Sequence, residues 1–112
     1  MANNVVLRRS LTGLLAATTY TVEIPREKLI ATRHSFYVIP VGDNVTVNIR
    51  CLFPTVGGPD DVLLAGAIGG AAADGEAFIF TTEDVYPGPV FVDVVVGGGP
   101  PPSRVEVVVA GL

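Results

Sequence analysis

The chain of 112 residues has no tryptophan, one cysteine, one histidine and one methionine, and only 16% of its residues are charged. Each shortage removes a class of chemistry. A single cysteine, Cys51, cannot form an intrachain disulfide or a cysteine-based zinc site. A single histidine, His34, leaves no histidine cluster for a metal and one candidate base for any Ser-His-Asp arrangement. Aromatic residues at 7% supply a poor stacking platform, with Tyr20, Tyr37 and Tyr86 as its only tyrosines. Seven Lys and Arg against eleven acids give a net charge of −4, so the clustered cations of a nucleic-acid binder are missing. No apolar run approaches the ~20 residues of a membrane-spanning helix, although the mean hydropathy is +0.54.

What remains is apolar material for a folded domain. Hydrophobic residues make up 49% of the chain, far from the composition of disorder. The length allows one domain. A domain this small buries only about two-thirds of the surface its unfolded chain exposes, so this composition leaves apolar area for partners. Charge is unevenly placed. Residues 1–34 hold five bases against Glu23 and Glu27, a balance of +3, while 35–112 hold Arg50 and Arg104 against nine acids, a balance of −7. A basic head on an acidic body suits a neighbouring copy or an acidic partner.

From Tyr20 onward the period is two. Strands are expected at Tyr20 to Ile24, Phe36 to Ile39, Val45 to Phe53, Val62 to Ile68, Ala77 to Thr81, Val90 to Val96 and Arg104 to Ala110. Pro25, Pro40 and Pro54 are expected to end the strands before them, because proline cannot donate to a ladder. Arg26 to Arg33 reads as a short helical turn, residues 57–60 and Gly69 to Gly75 as loops, and the GGGPPP at 97–102 as the end of a hairpin. Short strands at this spacing, with Pro/Gly turns, predict an all-β single sandwich of about seven or eight strands, immunoglobulin-like or jelly-roll-like. Residues 1–19 are expected as an extended N-terminal arm and 20–112 as the sandwich domain. The short run from Leu11 to Ala17, broken by Thr12 and Gly13, does not read as an export signal.

Searches for chemistry return ordinary structural roles. His34 beside Arg33 reads as a surface or interface histidine, and Cys51, on the apolar side of its strand, as a small core hydrophobe. The acids at Asp60 and Asp61, Asp74 and Glu76, and Glu83 and Asp84 supply no D-x-D-x-D-G run for calcium, and read as solvated loop acids. Gly97 to Gly99 are followed by three prolines rather than by a lysine and a helix, which excludes a phosphate loop. No catalytic residue, cofactor or metal ligand is expected, and the chain reads as non-enzymatic.

The order V-G-D-N-V-T-V-N-I at 41–49, D-G-E-A-F-I-F-T at 74–81 and Y-P-G-P-V-F-V-D-V-V-V at 86–96 resembles the immunoglobulin-like sandwich modules of bacterial surface proteins and tailed-phage structural proteins. Small, acidic, Gly/Val/Ala-rich composition with an N-terminal arm is similar to that of capsid decoration or cement proteins. The resemblance implies a virion protein on the capsid surface, made in the host cytoplasm and bound to protein subunits such as the major capsid protein. It also implies a homo-oligomer, with a trimer as one form, and neither nucleic acid nor membrane as partner. A tail, baseplate or head-fibre component is the alternative within that class, and a secreted adhesion or carbohydrate-binding module the alternative outside it. The residues expected to meet partners are Arg8, Arg9, Leu11, Leu14 and Leu15 in the arm, and Val62, Leu64, Phe91, Val95 and Tyr86 on strand surfaces and loops.

Overall fold

The computed structural model describes residues 4–55, 58–63, 69–83 and 85–111, and the alternation of its sequence becomes nine β-strands. They are β1 (Asn4–Thr12), β2 (Thr19–Ile24), β3 (His34–Val41), β4 (Val45–Thr55), β5 (Gly58–Leu63), β6 (Gly69–Ala72), β7 (Phe78–Thr82), β8 (Val90–Val96) and β9 (Arg104–Gly111). β1 pairs with β9, β2 with β8, β3 with β7, and β4 with both β5 and β6, all antiparallel. The chain is thus one ribbon of paired strands folded back at β5. Two further ladders, β3 with β9 and β4 with β8, roll the ribbon into two sheets. One has the order β1-β9-β3-β7, and the other the order β2-β8-β4-β5 with β6 also on β4.

This winding is that of a jelly roll. An immunoglobulin sandwich keeps its first two strands in one sheet, whereas here β1 and β2 lie in different sheets. Of the two connectivities left open by the sequence, the strand order is therefore the jelly-roll one.

The inner faces are filled by the apolar half of each alternation. Val90, Val92, Val94 and Val96 of β8 and Val105, Val107 and Val109 of β9 are buried with Phe36, Val38, Val47, Ile49 and Ile24. The rings of Phe36 and Phe80 stack with centroids 5.9 Å apart. At about 25 cal/mol per Å² of apolar area, each buried valine contributes roughly 1.5 kcal/mol or more.

Several local expectations change once pairing is known. β3 runs through Pro40 to Val41. The Pro40 carbonyl accepts from Gly75 N–H on the β7 side, beyond the last β3–β7 pair at Val38 and Phe78, so its missing N–H costs no ladder bond. β4 likewise passes Pro54, which lies beyond the last β4–β8 pair at Cys51 and Val90. Residues 58–60 belong to β5 rather than to a loop. Of the strand expected at Val62 to Ile68, residues 64–68 lie outside the described residues. Gly69–Ala72 is strand β6, held by backbone pairing to Val45–Asn48 that small side chains do not advertise. The helical turn shortens to a 3-10 turn at Arg26–Lys28. GGGPPP ends no hairpin: it carries the chain from β8 in one sheet to β9 in the other. Both valine-rich strands are interior to their sheets, so neither is an open edge. The segment expected as an arm runs, over Asn4–Thr12, as the edge strand β1 paired along β9.

One glycine closes the core where β7 leads into β8. A Cβ on Gly88 would collide with the Leu52 carbonyl oxygen, a backbone atom fixed by the Leu52 N–H bond to Pro89 O at 3.0 Å. Gly88→Ala is expected to destabilise the fold by about 2–3 kcal/mol, the upper part of the overpacking range, read as a lower urea midpoint. Gly97→Ala, where nothing lies within 4 Å of the added carbon, is expected to stay within about 0.5 kcal/mol of wild type.

Candidate interaction surfaces

With Val105, Val107 and Val109 directed inward, β9 turns Arg104, Glu106, Val108 and Ala110 to the outer face of its sheet. Register sets Arg8 and Tyr37 on either side of Val108, and Ile79 beyond Tyr37, forming the row Arg8, Val108, Tyr37, Ile79. Ile39 and Val41 continue the face along β3. Ile79 is 58% exposed, and Tyr37, Ile39, Val41 and Val108 are half-buried. The solvent face of an antiparallel sheet is ordinarily polar. Here its centre is aliphatic and aromatic.

One side of this patch is charged. Glu106 accepts from Ser10 Oγ at 2.7 Å and faces Arg104 Nε at 3.2 Å and Arg8 Nε at 3.7 Å. Two guanidinium groups share one carboxylate, so the rim keeps one positive charge in excess. Exposed pairs of this kind are worth about 0–1 kcal/mol, which leaves both arginines able to turn to a partner's carboxylate.

Near the middle of the outer face of the five-stranded sheet, a charged pair is satisfied within the fold instead. Arg50 Nε and Nη2 donate to Asp93 Oδ2 and Oδ1 at 2.6 and 3.1 Å, and Thr21 Oγ1 donates to Asp93 Oδ1 at 2.7 Å. The Arg50 guanidinium also lies 5.1 Å from the Phe91 ring centroid, a cation–π distance. Asp93 is buried despite its outward position, because these neighbours cover it.

A third surface lies where the β2–β3 and β7–β8 connections meet. Arg26, Glu27, Leu29, Ile30, Ala31, Val85 and Tyr86 line an open groove of about 500 Å³. An adjoining depression of about 660 Å³ continues it past Ile30 and Val85 to Arg33 and Glu83. Ile30 and Val85 are 85% and 91% exposed. The Arg33 Nη2 and Nε groups both donate to Glu83 Oε2, at 2.8 and 3.2 Å, and tie the two connections together.

Below the groove, His34 is fully buried at the start of β3. Its Nε2 accepts the Ala31 N–H at 3.3 Å, which places the ring proton on Nδ1, a buried atom with no hydrogen-bond partner among the described residues. Burial lowers its pKa below the ordinary 6.5. Cys51 is buried, and burial raises its thiol pKa while a backbone hydrogen bond at Gly88 opposes that shift in part. The structure thus moves His34 from the expected surface to the core and keeps Cys51 as core packing. Among the described residues, no group of three or more His, Cys, Asp or Glu is placed to hold a metal, and no helix is long and apolar enough to cross a membrane.

The residues expected to meet partners are scattered over the fold. Leu14 and Tyr86 are buried in the core cluster, and Tyr86 also lines the groove. Both are drawn in because the connections that carry them cross between the sheets. Leu11 packs partly against the core from β1, Arg8 and Arg9 are exposed on β1, and Leu15 is 65% exposed in the following turn. Phe91 and Val95 lie half-buried on the five-stranded face. The Val62 side chain and all of Leu64 lie outside the described residues. Tyr37, Ile39 and Ile79 of the apolar face were signalled only by β3 and β7 being apolar on both sides of their alternation, and Val108 only by the unbroken apolar run from Val107 to Ala110 in β9.

No protein-family model matches the chain, and no curated protein matches it in sequence.

His34 makes stability depend on pH. Its folded-state pKa is depressed, so the unfolded chain binds the proton more readily, and stability falls as pH falls. The urea midpoint is expected to be flat above pH 6.5 and to decline below it, before the carboxyl groups titrate. His34→Gln is expected to be less stable overall, with that decline removed.

Proposed function

We propose that this protein is a non-enzymatic virion structural protein, a capsid decoration or cement protein that binds and stabilises an assembled head shell. The observation that carries this reading is the row Val108, Tyr37 and Ile79 on an outer sheet face, with Arg8 and Arg104 at its rim. An apolar sheet face with a charged rim is the form of a protein-binding surface. The jelly roll is an architecture shared by viral capsid and lectin domains, and that analogy adds support without carrying the function. The partners are protein subunits of the virion, principally the major capsid protein. Its place is the capsid surface, after synthesis in the host cytoplasm.

Stabilisation follows from mass action: a protein that binds only the assembled shell lowers the free energy of that state. Repeated copies on a symmetric lattice add their contacts through avidity. The basic residues of β1 keep the role given by the charge split, with Arg8 facing acidic groups of the shell.

The test is co-sedimentation of the purified chain with assembled phage heads. Ile79→Asp changes an exposed position on an edge strand, so folding stability is expected to hold within about 0.5 kcal/mol. Shell affinity is expected to fall roughly 30-fold, the effect of a contact worth about 2 kcal/mol. Unchanged binding by Ile79→Asp, or binding to glycans in place of shells, would overturn the proposal.

A further inference from the structure

We infer that the free edge of β2 is a self-association edge, at which two copies of this chain pair β2 against β2, antiparallel, about a two-fold axis at Thr21. The five-stranded sheets of the two copies then become one continuous sheet. This inference is independent of the shell-binding reading.

Among the described residues β1, β7, β2 and the pair β5 and β6 lie at the sheet edges, and β1, β5 and β7 carry features that hinder addition of a strand. β1 has a register shift between Val5 and Leu7, and Arg9 sits opposite the inward-facing Val107. An inward-pointing charge and a bulge are both devices that blunt an edge. β5 contains Pro59, Asp60 and Asp61. At β7 the two sheets close together, where the Phe78 ring lies so near Gly70 of β6 that an added Cβ would be 2.9 Å from Cε2. β2 has none of these features. Its six residues, TYTVEI, hold no proline and no base, and they pair with β8 in unbroken register.

The backbone of that edge points outward in a defined pattern. Val96 N–H donates to Thr18 O at 2.9 Å, so by alternation Tyr20, Val22 and Ile24 face β8, and Thr19, Thr21 and Glu23 turn N–H and C=O away from it. Among the described residues no strand pairs with these groups. With the axis at Thr21, Thr19 lies opposite Glu23 of the second copy and Thr21 lies opposite Thr21. Every outward donor and acceptor of the three residues then bonds. The side chains agree as well: a Thr–Thr pair at the axis, a hydroxyl against a carboxylate on each side of it, and Tyr20 against Val22 on the inner face. Moving the axis to Val22 sets Thr19 against Pro25, which has no N–H. Moving it to Glu23 sets that carboxylate against its own copy. Of the registers centred on Thr21, Val22 and Glu23, the sequence of β2 therefore favours the one at Thr21.

The test is the mass of the full chain in solution by sedimentation equilibrium, expected at twice 11.6 kDa. Glu23→Pro removes an outward N–H that the β8 ladder does not use. It is expected to raise the dimer dissociation constant roughly tenfold or more, since two hydrogen bonds are lost per dimer, with the unfolding midpoint checked in parallel. Register is read independently by oxidising a mixture of Thr19→Cys and Glu23→Cys chains. Directly opposed residues of this kind have Cα atoms about 5.5 Å apart, within disulfide range, so the mixed disulfide is expected while neither variant alone cross-links. Cys51 is buried and stays reduced. A monomer up to the solubility limit, a trimer, a dimer indifferent to Glu23→Pro, or a mixture that does not cross-link would each overturn the inference.

Discussion

Seven valines on two consecutive strands, four on β8 and three on β9, lie buried between the sheets, and the rest of the molecule is arranged by that contact. Each of these strands is interior to its own sheet, so pairing on both sides holds it flat while its valines face the opposite sheet. Strand parity then leaves no freedom for the remaining side chains. Once Val105, Val107 and Val109 point in, Glu106 and Val108 must point out, and ladder register carries that choice across to Arg8, Tyr37 and Ile79. The same parity turns Asp93 outward from β8, where Arg50 and Thr21 neutralise and cover it.

The two outer faces consequently differ in character. On the five-stranded sheet, Arg50 and Asp93 bond to each other and Phe91 lies under the guanidinium. On the four-stranded sheet, the apolar row has no such cover among the described residues, and its rim holds two arginines for one carboxylate. The apolar excess of the composition is thereby divided. Among the described residues much of it fills the interior, and part of the remainder lies on one sheet face and at the groove where Ile30 and Val85 stand exposed. A surface of this kind on a small domain is best accounted for by protein contact, which is the basis of the proposed role in a shell.

Much of this was legible in the sequence. The alternation of Val45 to Cys51, of Val90 to Val96 and of Val105 to Val109 gives both the strands and their inward faces. What alternation cannot carry is which strand lies beside which. GGGPPP has the chemistry of a turn, but whether it closes a hairpin or crosses between sheets depends on β2 and β4 taking both sides of β8. β6 was hidden because Gly and Ala offer no side-chain pattern, and β1 because Arg8 and Arg9 resemble a tail more than a sheet edge. Leu14 and Tyr86 stand in connections, and only the crossing of those connections between sheets reveals that they are buried. The apolar face was the hardest feature to see. It combines Tyr37, Ile39 and Val41 of β3 with one residue each from β7 and β9, and ladder register alone brings them together.

Hydroxyl-radical footprinting of the chain, free in solution and bound to assembled phage heads, tests the central claim most directly. Tyr37 and Ile79 are predicted to be labelled in the free chain and protected in the particle, while Phe36, which is fully buried, stays protected in both. Equal labelling of Tyr37 and Ile79 in the two states would contradict the account, because the apolar face would then remain in water where it is expected to be covered.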